Sequence, residues 1–239
     1  MRFVPIKTAE QQAILALHRA RQGLVKARTA QANQLRSLLA ACGIVVPQGT
    51  HVLLRQVPVI IGDTEHGLLA SVRTLFTRLF AHVKEVDRQV TEVEQQILHW
   101  HKSNEQSRKL EKVPGIGPIT ASALVATIGD ARAFQHGRQL AAWLGLVPRQ
   151  YSTGGKVRLH GISKRGDVYL RTLLIHGARS VLRVAARHTD STTTWLKRVP
   201  ARRNATIAAV ALANKHARVV WALLAHDRDY TPDYAVRSP

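Results

Sequence analysis

The 239-residue sequence predicts a mainly α protein, and three observations support this prediction. An apolar helical stripe follows a capping box near the start of the chain. A longer stretch then carries apolar residues at spacings of three and four, which is the pattern of a coiled coil. Further helical patterns fill the second half of the chain, at about 136–145, 166–187 and 203–225, around a glycine-rich irregular loop at 148–162.

The first predicted helix begins at Thr8, which forms a capping box with Gln11, and ends at Gly43. Five apolar residues share one face of this helix: Ile14, Leu17, Leu24, Leu35 and Leu38. Four polar residues share the other face: His18, Arg19, Lys26 and Arg36. Prolines and glycines interrupt residues 44–62, so this segment is predicted to be a connector with at most a short strand or helical turn.

A second helix is predicted over 63–112, with a heptad seam along it. The seam consists of Leu68, Val72, Leu75, Leu79, Val86, Val90, Val93, Ile97 and Trp100, and Phe76 and Val83 widen it. Such a helix would be roughly 75 Å long at 1.5 Å per residue. A small core cannot bury it, so it must pack on a partner helix. The partner is either residues 8–42 or another copy of the chain.

The charge balance indicates a polyanionic partner. The chain has 35 lysines and arginines against 15 acidic residues, for a formal net charge of +20. Residues 131–218 alone hold 17 of these cations, with Asp167 and Asp190 as the acidic residues. Nucleic acid neutralises such a charge well, because each phosphate contact releases condensed counterions.

The sequence gives little support to a membrane or secreted protein. No run approaches the roughly 20 apolar residues that span a bilayer, and residues 1–5 lack the features of a signal peptide. The one cysteine, Cys42, cannot form an internal disulfide, which favours a reducing compartment. A cytoplasmic location is expected.

A glycine-proline turn at residues 112–117 is similar to the hairpin of a helix-hairpin-helix motif. Gly115 and Gly117 would let backbone N–H groups approach a phosphate at the start of the next helix. The alternative is a glycine-proline connection between two helices that binds no ligand.

The stretch around Ser152 and Thr153 is the most distinctive part of the sequence. These two hydroxyl residues precede a Gly-Gly pair, and three cations lie close by: Arg149, Lys156 and Arg158. A hydroxyl here could attack a phosphodiester while the cations stabilise the transition state. A turn that only contacts phosphate is the alternative. The run itself holds no histidine or carboxylate to act as a general base.

Further cations follow this stretch. Lys164, Arg165 and Arg171 are candidates for phosphate contacts. Arg179, Arg183 and Arg187 recur every four residues, which places them on one helix face. The histidines do not match zinc-ligand spacing, so no metal-binding residue is assigned.

Four motifs in this order resemble one family, the DEDD-type insertion-sequence transposases of the one-ten and eleven-eleven group. They are Pro114–Pro118, Leu140–Arg149, Ser152–Lys156 and Ile162–Asp167. The start of the chain is also similar to a segment of that family. The resemblance covers nearly the whole sequence.

The resemblance implies a two-part recombinase. A RuvC-like domain carries four carboxylates that bind divalent metal, with Mg²⁺ expected, and a coiled coil joins it to a transposase domain with a serine nucleophile. A structured guide RNA and assembly into homo-oligomers through the coiled coil are also implied. On this basis residues 1–50 are a remnant of the RuvC-like domain, 63–112 the coiled-coil arm, 113–226 the transposase domain and 227–239 a flexible tail.

Two departures from the family are expected. The four carboxylates lie upstream of the segment that matches residues 3–5, so the chain is a truncated product or has a mis-assigned start, and no cofactor is expected in it. The position of the nucleophile falls on Thr153, with Ser152 directly before it. The resemblance does not decide between these two hydroxyls.

The expected function is DNA binding and DNA transposition by strand cleavage and rejoining. Two alternatives stay open: a catalytically inactive nucleic-acid-binding remnant, and a basic coiled-coil scaffold protein.

Overall fold

The computed structural model describes residues 6–63, 67–185 and 204–232, and its fold is mainly α, as predicted. The chain divides into two compact units. The larger unit consists of Met1–Leu15 and Ile97–Pro239, and the smaller unit is Ala16–Gln96. The predicted division into functional domains at residues 50, 63 and 113 stays a prediction.

Three helices build the smaller unit: most of α1 (Ala9–Ala41), α2 (Thr50–Gly62) and most of α3 (Ala70–Ser103). Their apolar side chains form a common core. Its buried members are Ala32, Leu35, Leu39, Val46, Leu53, Val57, Phe76 and Val83.

In the smaller unit, α1 and α3 run antiparallel, because residue numbers rise along one helix as they fall along the other. Three side-chain pairs fix this alignment: Arg21 with Glu94, Arg28 with Asp87, and Gln31 with His82. The partner of the long helix is therefore the first helix of the same chain, one of the two predicted possibilities.

Several predictions for this part of the chain are wrong. The predicted connector 44–62 contains the helix α2, with Pro58 inside it. The predicted helix 63–112 is interrupted at Asn104, whose side chain caps α4 (Glu105–Glu111) by accepting the Ser107 N–H. The physical reason is that an asparagine side chain satisfies a helix N-terminus better than it continues a helix.

The seam prediction also needs two corrections. Leu75 is 47% exposed, whereas Phe76 and Val83 are buried, so the buried stripe lies one position away from Leu75. His18, predicted on the polar face of α1, is buried, with 2% of its surface exposed. Burial, followed by the nearby charge of Arg21, lowers the pKa of His18 to about 4.

The larger unit contains the remaining helices and the two described strands. In chain order these are α4, α5 (Pro118–Ile128), a 3₁₀ turn (Ala131–Ala133), α6 (Gly137–Trp143), β1 (Pro148–Gln150), β2 (Leu159–Ile162), α7 (Val168–Val184) and α8 (Ala205–His226). The helix α5 is buried along most of its length, because small and apolar residues occupy nearly all of its positions.

The helix α8 lies in the core of the larger unit, where it packs on α6 and α7. By length and composition it is the one helix among the described residues that could cross a membrane, with 44% of its apolar window buried. The expectation that no apolar run approaches membrane length therefore needs this exception. Leu212, Val220 and their neighbours bury one face of α8 in the core.

Both ends of the described chain are held in the larger unit. The Lys7 ammonium donates to the carbonyl oxygens of Ala126 and Thr127 at the end of α5, over 3.2 and 2.8 Å. In the predicted flexible tail, Asp227 pairs with Lys109 and Asp229 with Lys112. Both carboxylates of these last two pairs are largely exposed, so solvent screens the pairs and they contribute little to stability.

Candidate nucleic-acid interface

The glycine-rich stretch 148–162 forms a β-hairpin, so the prediction of an irregular loop there is wrong. The tip is a two-residue turn in which the Lys156 N–H donates to the Thr153 carbonyl over 3.1 Å. Gly154 and Gly155 occupy its central positions at φ 57° and 75°. Two consecutive positive φ angles define a type I′ turn, which matches the twist of a hairpin and which the Gly-Gly pair makes possible.

Two glycines allow the segments before and after the hairpin to pack closely, backbone against backbone. Gly145 and Gly166 have φ angles of 72° and 93°. A Cβ on Gly145 would overlap the carbonyl oxygen of Arg165, and a Cβ on Gly166 would overlap that of Trp143. The chain segments that enter and leave the hairpin are therefore packed directly on each other.

The side chain of Arg171 links the two segments that flank the hairpin. It is 7% exposed, and its guanidinium donates to the carbonyl oxygen of Leu144 over 3.1 Å and to that of Arg165 over 3.5 Å. Arg171 therefore bonds to the backbone at the two ends of the hairpin, and its predicted contact with phosphate stays a prediction.

The register of the hairpin determines which side chains share a face. Gln150 pairs with Leu159 and Thr153 pairs with Lys156, so residues whose numbers sum to 309 face each other. Successive side chains of a strand point to opposite faces. Five residues thus share what we call the cationic face: Tyr151, Thr153, Lys156, Arg158 and His160. Four share the opposite face: Gln150, Ser152, Val157 and Leu159.

Two side-chain contacts agree with this assignment. The rings of Tyr151 and His160 meet edge to face with centroids 5.7 Å apart. The Gln150 side-chain amide donates to the Ser152 hydroxyl over 2.9 Å. His160 lies two positions after Arg158 on the second strand, so the alternation of side chains places it on the cationic face.

The cations predicted around the hairpin are exposed to solvent. They are Arg149, Lys156, Arg158, Lys164 and Arg165. Within the part of the chain that the structure describes, none of them forms an ion pair. The nearest carboxylate in sequence, Asp167, caps α7 by accepting the Leu170 N–H. The hairpin therefore presents positive charge that the described protein residues leave uncompensated.

The hairpin separates the two candidate hydroxyls. Ser152 lies on the opposite face and accepts a hydrogen bond from Gln150. Thr153 lies at the tip on the cationic face, beside Lys156 in the turn. In the sequence alone these neighbours are interchangeable. His160 is a residue that the sequence did not single out, because its contact with Tyr151 depends on the pairing of the two strands, which the sequence did not predict.

The turn at Gly115 and Gly117 packs on α7. Gly115 has φ 87°, and a Cβ there would lie 2.8 Å from the carbonyl oxygen of Gly177. Gly117 is the N-cap residue of α5, and a Cβ there would meet no atom within 4 Å. A groove of about 560 Å³ runs beside this turn, with Thr120 and His176 among its lining residues. Gly115 thus permits close packing of the chain, while Gly117 leaves the start of α5 open.

The remaining polar candidates are dispersed. Arg179 and Arg183 are exposed on α7, and Arg187 lies outside the described residues. Over residues 6–63, 67–185 and 204–232, no three histidine, cysteine or carboxylate side chains are close enough to hold a metal ion. His101 is buried between the Ser107 hydroxyl and the Glu111 carboxylate, at 2.7 and 2.9 Å.

Fold, charge and hairpin together define a class: a mainly α, strongly basic protein that exposes a cationic β-hairpin. A model of the IS116/IS110/IS902 transposase family matches residues 107–193 of this chain. A probable family 20 transposase of Pseudomonas aeruginosa is 47% identical over 233 residues, which cover 97% of this chain and 69% of that protein. The chain therefore belongs to the IS116/IS110/IS902 transposase family.

Two further relatives agree. The transposase for insertion sequence element IS1111A of Coxiella burnetii is 42% identical over 96% of this chain and 63% of its own length. The transposase for IS1328 of Yersinia enterocolitica is 40% identical over 92% of this chain and 65% of its own length. The chain thus spans about two thirds of the length of these relatives.

Proposed function

We propose that this chain takes part in DNA transposition and that its hairpin binds the phosphate backbone of DNA. The observation that carries the proposal is the set of exposed cations on and beside the hairpin, which the described residues leave without acidic partners. Uncompensated cations repel one another, and phosphates relieve that repulsion. Gly117, at the open start of α5, is a second candidate phosphate contact.

We further propose that Thr153, rather than Ser152, supplies the reacting hydroxyl. Thr153 shares a face with Lys156 and Arg158, which can stabilise the negative charge that develops on a phosphate under attack. In the step, the Thr153 Oγ1–P bond forms while the bond from phosphorus to the departing strand oxygen breaks. The threonine proton passes to solvent at the exposed tip, and the departing oxygen takes up a proton from solvent.

The family resemblance implies divalent metal. Among the described residues, no three histidine, cysteine or carboxylate side chains form a cluster that could hold such an ion. This chain is therefore assigned the hydroxyl and the cationic surface. Divalent metal, when bound, would supply further stabilisation of phosphate charge.

The salt dependence of DNA binding tests the interface. The logarithm of the binding constant falls with the logarithm of salt concentration, by about 0.9 per phosphate contact on duplex DNA. The double variant Lys156→Gln/Arg158→Gln should lower this slope by about 2 on a mixed-sequence duplex of about 30 base pairs. Leu159→Gln, on the opposite face, is the matched control and should keep the wild-type slope.

The same salt titration distinguishes a DNA-binding protein from the alternative of a basic coiled-coil scaffold protein. A basic scaffold protein would bind DNA weakly near 0.15 M salt, with a shallow slope that the double variant leaves unchanged. That outcome would remove the interface proposal.

A covalent protein–DNA adduct tests the nucleophile. The wild-type chain is mixed with Mg²⁺ and a labelled duplex that spans one end of its own insertion sequence, and the products are separated in a denaturing gel. The proposal expects an adduct that Ser152→Ala keeps and Thr153→Ala loses. Loss in Ser152→Ala instead would assign the reaction to the opposite face. DNA binding with no adduct from the wild-type chain would favour the catalytically inactive alternative.

A further inference from the structure

Two aromatic rings lie among the cations of the hairpin. Tyr151 is 70% exposed, and it stands on the cationic face with Lys156 and Arg158. His160 is also exposed, and its ring lies at 88° to that of Tyr151. One exposed tyrosine is ordinary on a protein surface, but aromatic rings set among cations are the combination that binds the bases and phosphates of nucleic acid.

The contact between the rings leaves room for a third planar group. In an edge-to-face pair, one ring offers its edge and keeps both faces open, while the other has one face covered and keeps the second open. Whichever role Tyr151 takes, at least one of its faces is clear of His160. The exposure of Tyr151 shows that the rest of the described chain does not cover it.

We propose that the cationic face of the hairpin binds an unpaired nucleic-acid strand, with a base stacked on Tyr151 and phosphates on Lys156 and Arg158. In a duplex the faces of the bases are stacked on one another and are closed to a side chain. In an unpaired strand they are free, and aromatic residues set among cations are the usual platform for them. This inference rests on the proposed function and adds to its phosphate contacts the stacking of a base from an unpaired strand.

The opposite face of the same hairpin lacks this combination. It carries Gln150, Ser152, Val157 and Leu159, with neither an aromatic ring nor a formal charge. Leu159 is 62% exposed, close to the exposure of Tyr151, so it serves as a matched control for removing an exposed apolar side chain.

The test compares strands that have the same phosphates and differ in their bases. The probes are a labelled mixed-sequence DNA strand of about 20 nucleotides, an abasic strand of equal length, the corresponding duplex and the RNA strand of the same sequence. Dissociation constants come from fluorescence anisotropy at one fixed salt concentration, for the wild-type chain, Tyr151→Ala, Tyr151→Phe and Leu159→Ala. Circular dichroism and thermal melting check that each variant is folded.

The expected loss is specific to bases. Tyr151→Ala should weaken binding of the base-bearing strand about tenfold, in line with the stacking of one base. Binding of the abasic strand and of the duplex should stay near wild type. Tyr151→Phe retains the ring and should retain the affinity, and so should Leu159→Ala. If Tyr151→Ala weakens the binding of the DNA strand and the RNA strand equally, Tyr151 stacks on the bases of either. If the losses are unequal, the larger loss identifies the strand that Tyr151 prefers.

Three results would overturn the inference. The first is an equal loss on base-bearing and abasic strands, and the second is no loss at all. The third is a loss in Leu159→Ala as large as that in Tyr151→Ala. Each can occur while the chain still binds duplex DNA with a steep salt slope, in which case the proposed function stands. If the wild-type chain binds none of the probes, the proposed function fails as well.

Discussion

Gly145 and Gly166 let the backbone segments at the two ends of the hairpin approach more closely than any side chain would allow. Each has a positive φ, and each would place a Cβ onto a backbone carbonyl oxygen of the facing segment. Backbone atoms cannot give way as the end of a flexible side chain can. The position of the cationic face relative to the helices of the larger unit therefore depends on these two residues.

Gly145→Ala should lower the free energy of unfolding by about 3 kcal/mol, from positive-φ strain and overpacking together. Gly155→Ala is the control, because Gly155 has φ 75° and a Cβ there would meet no atom within 4 Å. It should cost about 1 kcal/mol, from strain alone. Urea denaturation of both variants measures the difference. Equal costs would contradict the close packing at Gly145.

Arg171 is predicted to act on stability and not on DNA binding. Arg171→Gln removes the donor to the Leu144 carbonyl and should lower the free energy of unfolding by about 1–3 kcal/mol. In the folded protein the salt slope of DNA binding should stay at the wild-type value. A slope lowered by about 0.9, the value for one lost phosphate contact, would show that Arg171 reaches phosphate after all.

At the scale of single residues, the sequence predicted which cations lie near the Gly-Gly pair and could not predict their directions. Arg158 and Arg171 look alike in sequence, yet one is exposed and the other is buried under the hairpin. Ser152 and Thr153 are neighbours that point to opposite faces. These differences arise from pairing register and from tertiary packing, and neither is a property of local sequence.

At the scale of elements, regular apolar patterns predicted helices correctly. Prolines and glycines that interrupt a pattern led to wrong predictions. The patterns at about 136–145, 166–187 and 203–225 correspond to α6, α7 and α8. The helix α2 was missed because Pro58 signals a break, although packing of Leu53 and Val57 in the core of the smaller unit stabilises the helix around it. The hairpin was missed because its strands are short and its faces are both exposed, so no alternation of apolar and polar residues marks them.

The helix α8 carries a buried histidine that predicts acid sensitivity. Burial, followed by the charge of Lys215, lowers the pKa of His216 to about 4. Between about pH 6.5 and 4 the unfolded chain binds a proton at this site and the folded chain does not. The stability is therefore full above about pH 6.5 and falls with pH below it, by up to about 1.4 kcal/mol per pH unit.

Denaturation across this pH range, with wild type and His216→Leu, checks the assignment. The variant should lose less stability between about pH 6.5 and 4, because it has no imidazole to protonate in the unfolded chain. An identical pH dependence in both proteins would mean that His216 titrates normally in the fold.

At the scale of the whole molecule, opposite charges serve different ends. In the smaller unit, Asp87 and Glu94 of α3 pair with arginines of α1 and help to align the two helices. Around the hairpin, exposed cations have no such partners among the described residues. A net charge of +20 therefore need not be spread evenly, and its effect on a polyanion is strongest where neighbouring carboxylates are missing.

The central claim is that the hairpin is the surface that meets nucleic acid, and amide hydrogen exchange with and without bound DNA tests it most directly. DNA should slow exchange in peptides that cover residues 149–161, while peptides from α3 around Glu85–Glu94 exchange at the same rate in both states. Hairpin peptides that exchange equally fast with and without saturating DNA, together with protection confined to the smaller unit, would contradict the claim.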